Sequence, residues 1–466
     1  MKKLVIALMA LGICSCPSIA QDLSPNDLDI VSLNDTGDIA DSHADNPAIS
    51  DNGRFIAFQS AATNLAAGHG GFTDIYLRDR QNNSTIRISQ GLANSPSNGD
   101  STRPAITPDG RFIAFTSLAT NLVASDSNAS KDAFLYDRVN NSLVRVSVRS
   151  DGNEGSQDTG DQVSISDDGQ LLTFIGGGDL ATPAAANNEH VYLHNRSSGQ
   201  TTLVSQVSGT EGNGASRRPY IEGSGNHIIF ISEASNLVAG DSNGIGDIFS
   251  CEVSSGTMSR VSLTAGGSEV TDLASNFRPI IAANGRISTM IHPSSQMLPS
   301  DSNGRRDIII HDNSNGQNTA VSQHSNGSLG NHNSAGSAIS EDGRFISFWS
   351  DASNLVDNDT NASRDAFLYD RENQNTFRIN LSSSGQEADG TSSQTDISGN
   401  GQFIAFGSAA SNITPTANPS GQRQILLMRN PMMASSSNHA VPSLPIPMQF
   451  ILFGALLGLA ARFRAK

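Results

Sequence analysis

The chain has 466 residues, a formal net charge of −16, 36% hydrophobic residues and only 5% aromatic ones. An acidic chain of this kind excludes charge-driven binding to nucleic acid or to anionic membrane. Its length alone would suggest about three domains, but an internal repeat overrides that expectation.

In chain order, Lys2 and Lys3, an apolar run over 4–13 and Ser18-Ile19-Ala20 before Gln21 read as a secretory signal peptide over 1–20. Ile13-Cys14-Ser15 is a poor match to a lipoprotein signal. Removing 1–20 takes Cys14 and Cys16 with it. Cys251 is then the single cysteine, which excludes an intramolecular disulfide in the exported body.

One phrase then recurs. Its fullest copy runs Arg-Pro-Ala-Ile-Thr-Pro-Asp-Gly-Arg-Phe-Ile-Ala-Phe-Thr-Ser over 103–117, followed by Asn-Leu-Val, Asp-Ser-Asn and Asp-Ala-Phe-Leu-Tyr-Asp-Arg. The turn glycine falls at Gly53, Gly110, Gly169, Gly225, Gly285, Gly343 and Gly401, at intervals of 56 to 60 residues. Seven copies at a fixed period specify a repeat architecture. Each copy holds four short runs of strand character, in the first copy 47–50, 54–58, 74–79 and 85–89, bounded by Asn, Asp, Gly and Ser. The body carries no apolar stripe of helical period. Four antiparallel strands repeated seven times describe an all-β, seven-bladed β-propeller over 21–433. The seventh copy stops after its third strand at 424–430, and 28–37 matches the fourth strand and following loop of other copies, such as 143–152. The N-terminal strand is therefore predicted to close the last blade and remove two free sheet edges.

The repeated wording, with Pro-x-Ile-Ser-x-Asp-Gly-Arg-Phe-Ile-Ala-Phe followed by an Asp-Ile-Tyr or Asp-Ala-Phe strand, resembles the TolB-like, WD-repeat-like β-propellers of bacteria over roughly 28–430. The resemblance implies a propeller, export and a partner-binding role. Copies three and five depart from it, at 176–179 and 287–291.

After a polar and proline-containing stretch over 434–447, the segment 448–466 is apolar with a basic end at Arg462, Arg464 and Lys466. A short motif, an apolar segment and a basic finish resemble the sorting tails of the PEP-CTERM class. That resemblance implies cleavage after export and release to the cell surface or medium; the alternative is a single-span membrane anchor through this tail. The apolar run is short for a span, which needs ~20 residues. Without the five basic residues of the two end segments the body would carry about −21.

The loops between second and third strands share the long-loop face with the inter-blade connections, where function on a rigid scaffold concentrates. Four of these loops carry alternating hard oxygen ligands: Asp126, Asn128 and Asp132; Asp241, Asn243 and Asp247; Asp301, Asn303 and Asp307; Asp359, Asn361 and Asp365. The spacing suits calcium, the one cofactor the sequence suggests. Turn chemistry, with the last aspartate anchoring the next strand, explains the same pattern without a metal.

Aligning the copies gives a second set. Seven residues before each turn glycine stand Asn46, Arg103, Gln162, Arg218, Arg278, Gly336 and Gln394, on the strand expected to line the central channel. Arg103, Arg218 and Arg278, with Arg217 beside them, form a candidate site for carboxylate, sulfate or phosphate. Pairing with Asp126, Asp241 and Asp301 is the alternative. Catalytic motifs are missing or false: 240–244 matches G-x-S-x-G only inside a repeated loop, and His190 and His194 sit too far apart on a strand to share an ion. Asp161, Glu222 and Asp396 lie near first strands, with nothing to select two of them. Trp349 reads as blade packing rather than a sugar platform.

The function these observations favour is a non-catalytic exported propeller that binds a protein or polysaccharide partner at the cell surface through its long-loop face. A lyase or glycosidase-like enzyme acting on extracellular polysaccharide is the alternative, and a structural component of envelope or biofilm matrix is a third.

Overall fold

The computed structural model describes residues 27–160, 162–177, 179–181, 189–271, 277–293, 295–299, 301–415, 418 and 421–433. The expected signal peptide and the tail over 434–466 lie outside the described residues. One compact unit ends at Asn430 and a second begins at Pro431. Among the described residues no helix is long and apolar enough to cross a membrane.

The first unit is a ring of seven four-stranded antiparallel sheets. In the first blade the strands run from the axis outward as Ala44–Ile49, Phe55–Ser60, Asp74–Asp79 and Ser84–Arg87. The seventh is composite, as expected. Asp29–Ile30 forms its outer strand against Gln424–Arg429, with Asp29 opposite Leu427 and Ile30 opposite Leu426. Ser32 seals this junction by donating to Gln424 Oε1 at 2.6 Å.

The core lies between neighbouring sheets. Stacked pairs from second and third strands, such as Phe58 with Tyr76 and Phe348 with Phe367, have centroids 5.9 and 5.4 Å apart. Ile56 and Phe58 of the first blade share one buried cluster with Phe403, Ala405 and Leu427 of the seventh. The turn glycine is required twice over. Gly110 has φ +69, and a β-carbon there would lie 2.3 Å from the Phe55 ring of the preceding blade. Only glycine meets both the left-handed backbone and the contact. The arginine of the Gly-Arg-Phe phrase clamps its own blade: Arg54 meets Asp79 at 2.7 Å, Arg111 meets Asp137 at 2.9 Å and Arg344 meets Asp370 at 2.9 Å.

Candidate functional site

The first strands surround a cavity of about 1010 Å³ along the ring axis. All seven aligned residues line it: Asn46, Arg103, Gln162, Arg218, Arg278, Gly336 and Gln394. Five of them, Asn46, Arg103, Arg218, Gly336 and Gln394, hold positive φ between 50 and 65°. Each of these five sits in a bulge where the first strand loses register with the second. The bulge turns the residue at the mouth out of the ladder, and left-handed arginine or glutamine backbone costs roughly 1–2 kcal/mol. Side chains of adjoining blades hold two of the freed amides: Arg103 N–H donates to Gln59 Oε1 at 2.9 Å, and Asn46 N–H to Gln394 Oε1 at 3.0 Å. Gln162 and Arg278 belong to the divergent third and fifth copies, whose first strands shorten to Val163–Ile165 and Ile280–Ala282.

The three expected arginines thus share one mouth. Arg217 does not; its guanidinium lies between Glu189 at 2.7 Å and Glu233 at 3.0 Å, outside the cavity lining. Arg278 stacks on Tyr220, 4.8 Å from the ring centroid. Burial pushes its guanidinium below its ordinary pKa, and the charges of Arg103 and Arg218 push the same way. No ion pair reaches Arg103 or Arg278 within 4.0 Å among the described residues.

Two positions farther along the first strand, the ring presents small or aliphatic residues at Ala48, Ala105, Ser164, Ile280 and Ala338. Tyr220 and Asp396 interrupt it. Asp396 accepts the Ile49 amide at 3.0 Å, and burial raises its carboxyl to about 6 against that bond. The opposite end of the cavity is acidic, with Asp51, Asp167 and Glu341 at the tight turns. Burial, then Glu341 and Asp51, raise Asp167 to about 7. The channel therefore runs over roughly 15 Å from an arginine-bearing mouth to a carboxylate-bearing one.

Trp349 is not blade packing alone, and here the expectation is corrected. It lines the channel beside Gly336. A β-carbon on Gly336 would lie 2.3 Å from Trp349 Nε1, so the indole takes the space that a side chain at Gly336 would need. Arg364 lies 3.8 Å from the indole ring centre, held by Asp351 at 2.8 Å.

The acidic loops are built differently from a calcium site in three copies, because an arginine sits among the ligands. Arg145 Nη1 lies 3.5 Å from Asp126, 3.3 Å from Asp132 and 2.8 Å from Glu154. Arg260 meets Asp241, Asp247 and Glu269 in the same way, and Arg378 meets Asp359, Asp365 and Glu387. The carboxylate oxygens of Asp241, Asp247 and Glu269 lie within 4.8 Å of one another, a spacing that a metal could also use. The asparagines act locally: Asn128 accepts the Ser130 amide at 2.9 Å, Asn243 and Asn303 donate to Asp247 and Asp307 at 2.9 Å, and Asn361 donates to Asp365 at 3.2 Å. In the fifth copy Ala320 and Leu329 stand where the arginine and glutamate stand elsewhere, leaving Asp301 and Asp307 buried with Asn303. The last aspartates of these loops also accept from a side chain two residues past the fourth strand, as Asp132 does from Ser147 at 2.6 Å and Asp365 from Asn380 at 2.6 Å.

The remaining candidates have structural partners. His190 and His194 bond Ser205 and Thr201 at 3.2 and 2.9 Å. Ser242 donates to Glu269 at 2.8 Å. Glu222 bonds His227 at 2.7 Å and accepts the Gly285 amide at 2.8 Å. Asp161 lies outside the described residues.

Fold and channel together define a seven-bladed β-propeller with a charge-graded axial cavity. Neither a family model nor a curated relative matches the chain. Solved structures do. TolB from Acinetobacter baumannii is 15% identical with a TM-score of 0.40, over 71% of this chain and 64% of that one. An oligogalacturonate lyase from Vibrio parahaemolyticus is 10% identical with a TM-score of 0.47, over 87% of this chain and 97% of that one. A prolyl endopeptidase is 10% identical with a TM-score of 0.50, over 83% of this chain and 50% of that one. Likeness at such identities concerns the fold alone.

Proposed function

We propose that the protein is an exported, non-catalytic propeller that binds an anionic protein or polysaccharide partner at the cell surface, through the arginine-bearing mouth of its channel. One observation carries this reading. Arg103 and Arg278 line that mouth, while of the aspartates expected to neutralise them Asp126 holds Arg145 instead and Asp301 is buried, accepting the Asn303 amide at 3.0 Å. A guanidinium with no carboxylate in ion-pair contact favours an incoming anion, and Arg278 is in addition desolvated, with Asp396 as its nearest counter-charge. The signal-like N-terminus and the tripartite tail support export and surface delivery.

A thermal-shift titration of the full chain with polygalacturonate, poly-glutamate and neutral dextran tests it. A ligand present at a hundred times its Kd stabilises by about 2.7 kcal/mol. A shift with at least one polyanion is expected, lost in the Arg103→Ala/Arg278→Ala double variant. An equal shift with dextran, or an unaffected double variant, refutes the reading.

A second reading is an enzyme acting on polysaccharide inside the channel. Tyr220 and Asp396 favour it, because they break the repeat symmetry where catalysis would need a unique set. Turnover of polygalacturonate that disappears in Asp396→Asn would select this reading.

A further inference from the structure

We infer that the arginine-bearing mouth is built for a sugar ring carrying a carboxylate, an acidic oligosaccharide rather than an acidic peptide, with Trp349 as its stacking platform. The inference rests on the anion-binding reading above and narrows its ligand class.

Three observations converge. First, Trp349 is the single tryptophan of the chain and lines the cavity. Its sheet partner at the same level is Ala335, and Gly336 beside it opens the ring for the indole. Arg364 covers the indole at 3.8 Å and is itself tied to Asp351, so the ring is held rigidly. An aromatic ring in the cavity lining suits the C–H face of a pyranose, and Arg364 takes up one of its two faces.

Second, Gln162 is 8% exposed and lines the same cavity, yet its Oε1 has no hydrogen-bond partner. A buried acceptor without a donor costs roughly 1–3 kcal/mol, and turning this amide into the cavity would let a ligand that brings hydroxyl donors relieve it. Sugars carry several hydroxyls; the side chains of an acidic peptide carry carboxylates, which only accept.

Third, Arg103 and Arg278 supply forked donors for a carboxylate, and Arg278 is fixed against Tyr220. The cavity of about 1010 Å³ stands at the upper end of the roughly 300–1,000 Å³ span of small-ligand sites. It has room for more than one sugar ring.

Calorimetric titration of the full chain with three probes tests the assignment: a galacturonate trimer, the neutral galactose trimer and a tri-glutamate peptide. The galacturonate trimer is expected to bind at least about tenfold more tightly than either other probe. Trp349→Ala is expected to weaken it by about tenfold, with most of the affinity restored by Trp349→Phe. Gln162→Leu is expected to weaken the two saccharides and leave the peptide unchanged. Circular dichroism melts of each variant identify any that fail to fold, and Gln162→Leu, which keeps side-chain size, serves in place of Trp349→Ala if that one does. Peptide binding as tight as the galacturonate trimer, or unchanged galacturonate affinity in both variants, overturns the sugar assignment while the anion reading stands. Binding of galactose as tight as galacturonate overturns the anion reading instead. Binding of none of the three overturns both.

Discussion

Gly53 turns directly against Phe403. A β-carbon on Gly53 would lie 2.7 Å from that ring, and its φ is +63. The same contact that joins Phe55 to Gly110 and Phe112 to Gly169 thus joins the seventh blade to the first. Gly53→Ala carries both a left-handed backbone penalty and an overpacked ring, together roughly 2–5 kcal/mol. Gly37 has φ +90 but nothing within 4 Å. Gly37→Ala is expected to cost only the backbone part, about 1 kcal/mol. Urea denaturation of the two variants measures the difference; equal losses would show that the blade contact contributes nothing.

Arg260 stands among three carboxylates. Its removal leaves Asp241 and Asp247 buried without a counter-charge, and Arg260→Ala is expected to lose about 3–5 kcal/mol. Because the three carboxylates converge within 4.8 Å, calcium should restore part of that loss in the variant while shifting the wild type less. Melting curves with calcium and with EDTA check this. An Arg260→Ala variant indifferent to calcium would show that the guanidinium is not a cation's stand-in.

Asp396 gives the channel a pH dependence with a definite sign. Burial raises its carboxyl to about 6 in the folded chain, above its unfolded value of ~3.9. The folded state therefore binds more protons across that interval. Its contribution to stability is fully present below the unfolded value and is lost as pH rises through about 6. Asp396→Asn should flatten that part of the wild-type stability profile in urea denaturation. Neutralising Asp396, which faces Arg278 and Tyr220, should also strengthen anion binding at pH ~5 relative to pH ~8, and the variant should show a smaller difference. A variant with the wild-type slope in both measurements would mean that Asp396 is not the group responsible.

Gln59 holds the strained mouth. Its Oε1 accepts from both Arg103 N–H and Asn46 Nδ2 at 2.9 Å. Gln59→Ala leaves the left-handed Arg103 amide without this acceptor and is expected to lose about 1–3 kcal/mol. Anion affinity should fall with it, although Gln59 is not itself among the residues lining the channel. Calorimetry on the variant reads both effects, and an unchanged affinity would separate the backbone bulge from recognition.

The fold was legible because period, turn chemistry and strand pattern repeat seven times and agree at every level. Counting back from the turn glycine located the arginines of the channel, since a strand's register fixes depth along the axis. The arginine clasp was not read, although its signal was present. Arg145, Arg260 and Arg378 each follow the loop aspartate by the same number of residues, as do Glu154, Glu269 and Glu387. The first group lies on a fourth strand and the second in the next inter-blade connection, so the set assembles only across sheet and loop. The place of Trp349 in the channel lining was hidden for a related reason. Its strand looks like every other second strand, and the vacancy it fills is a missing side chain on its neighbour, Gly336.

The composite last blade also sets an order of events. Asp29–Ile30 precedes every other strand of the ring among the described residues but finds its partner only when Gln424–Arg429 arrives. Until then the molecule is an arc with two complementary ends, and a second arc nearby offers the same ends. At high concentration two such arcs can complete one another, each lending its leading strand to the other's last sheet. A strand exchanged between copies would make the same contacts as one kept at home, so dilution during refolding, rather than any change of contact, decides between monomer and swapped dimer.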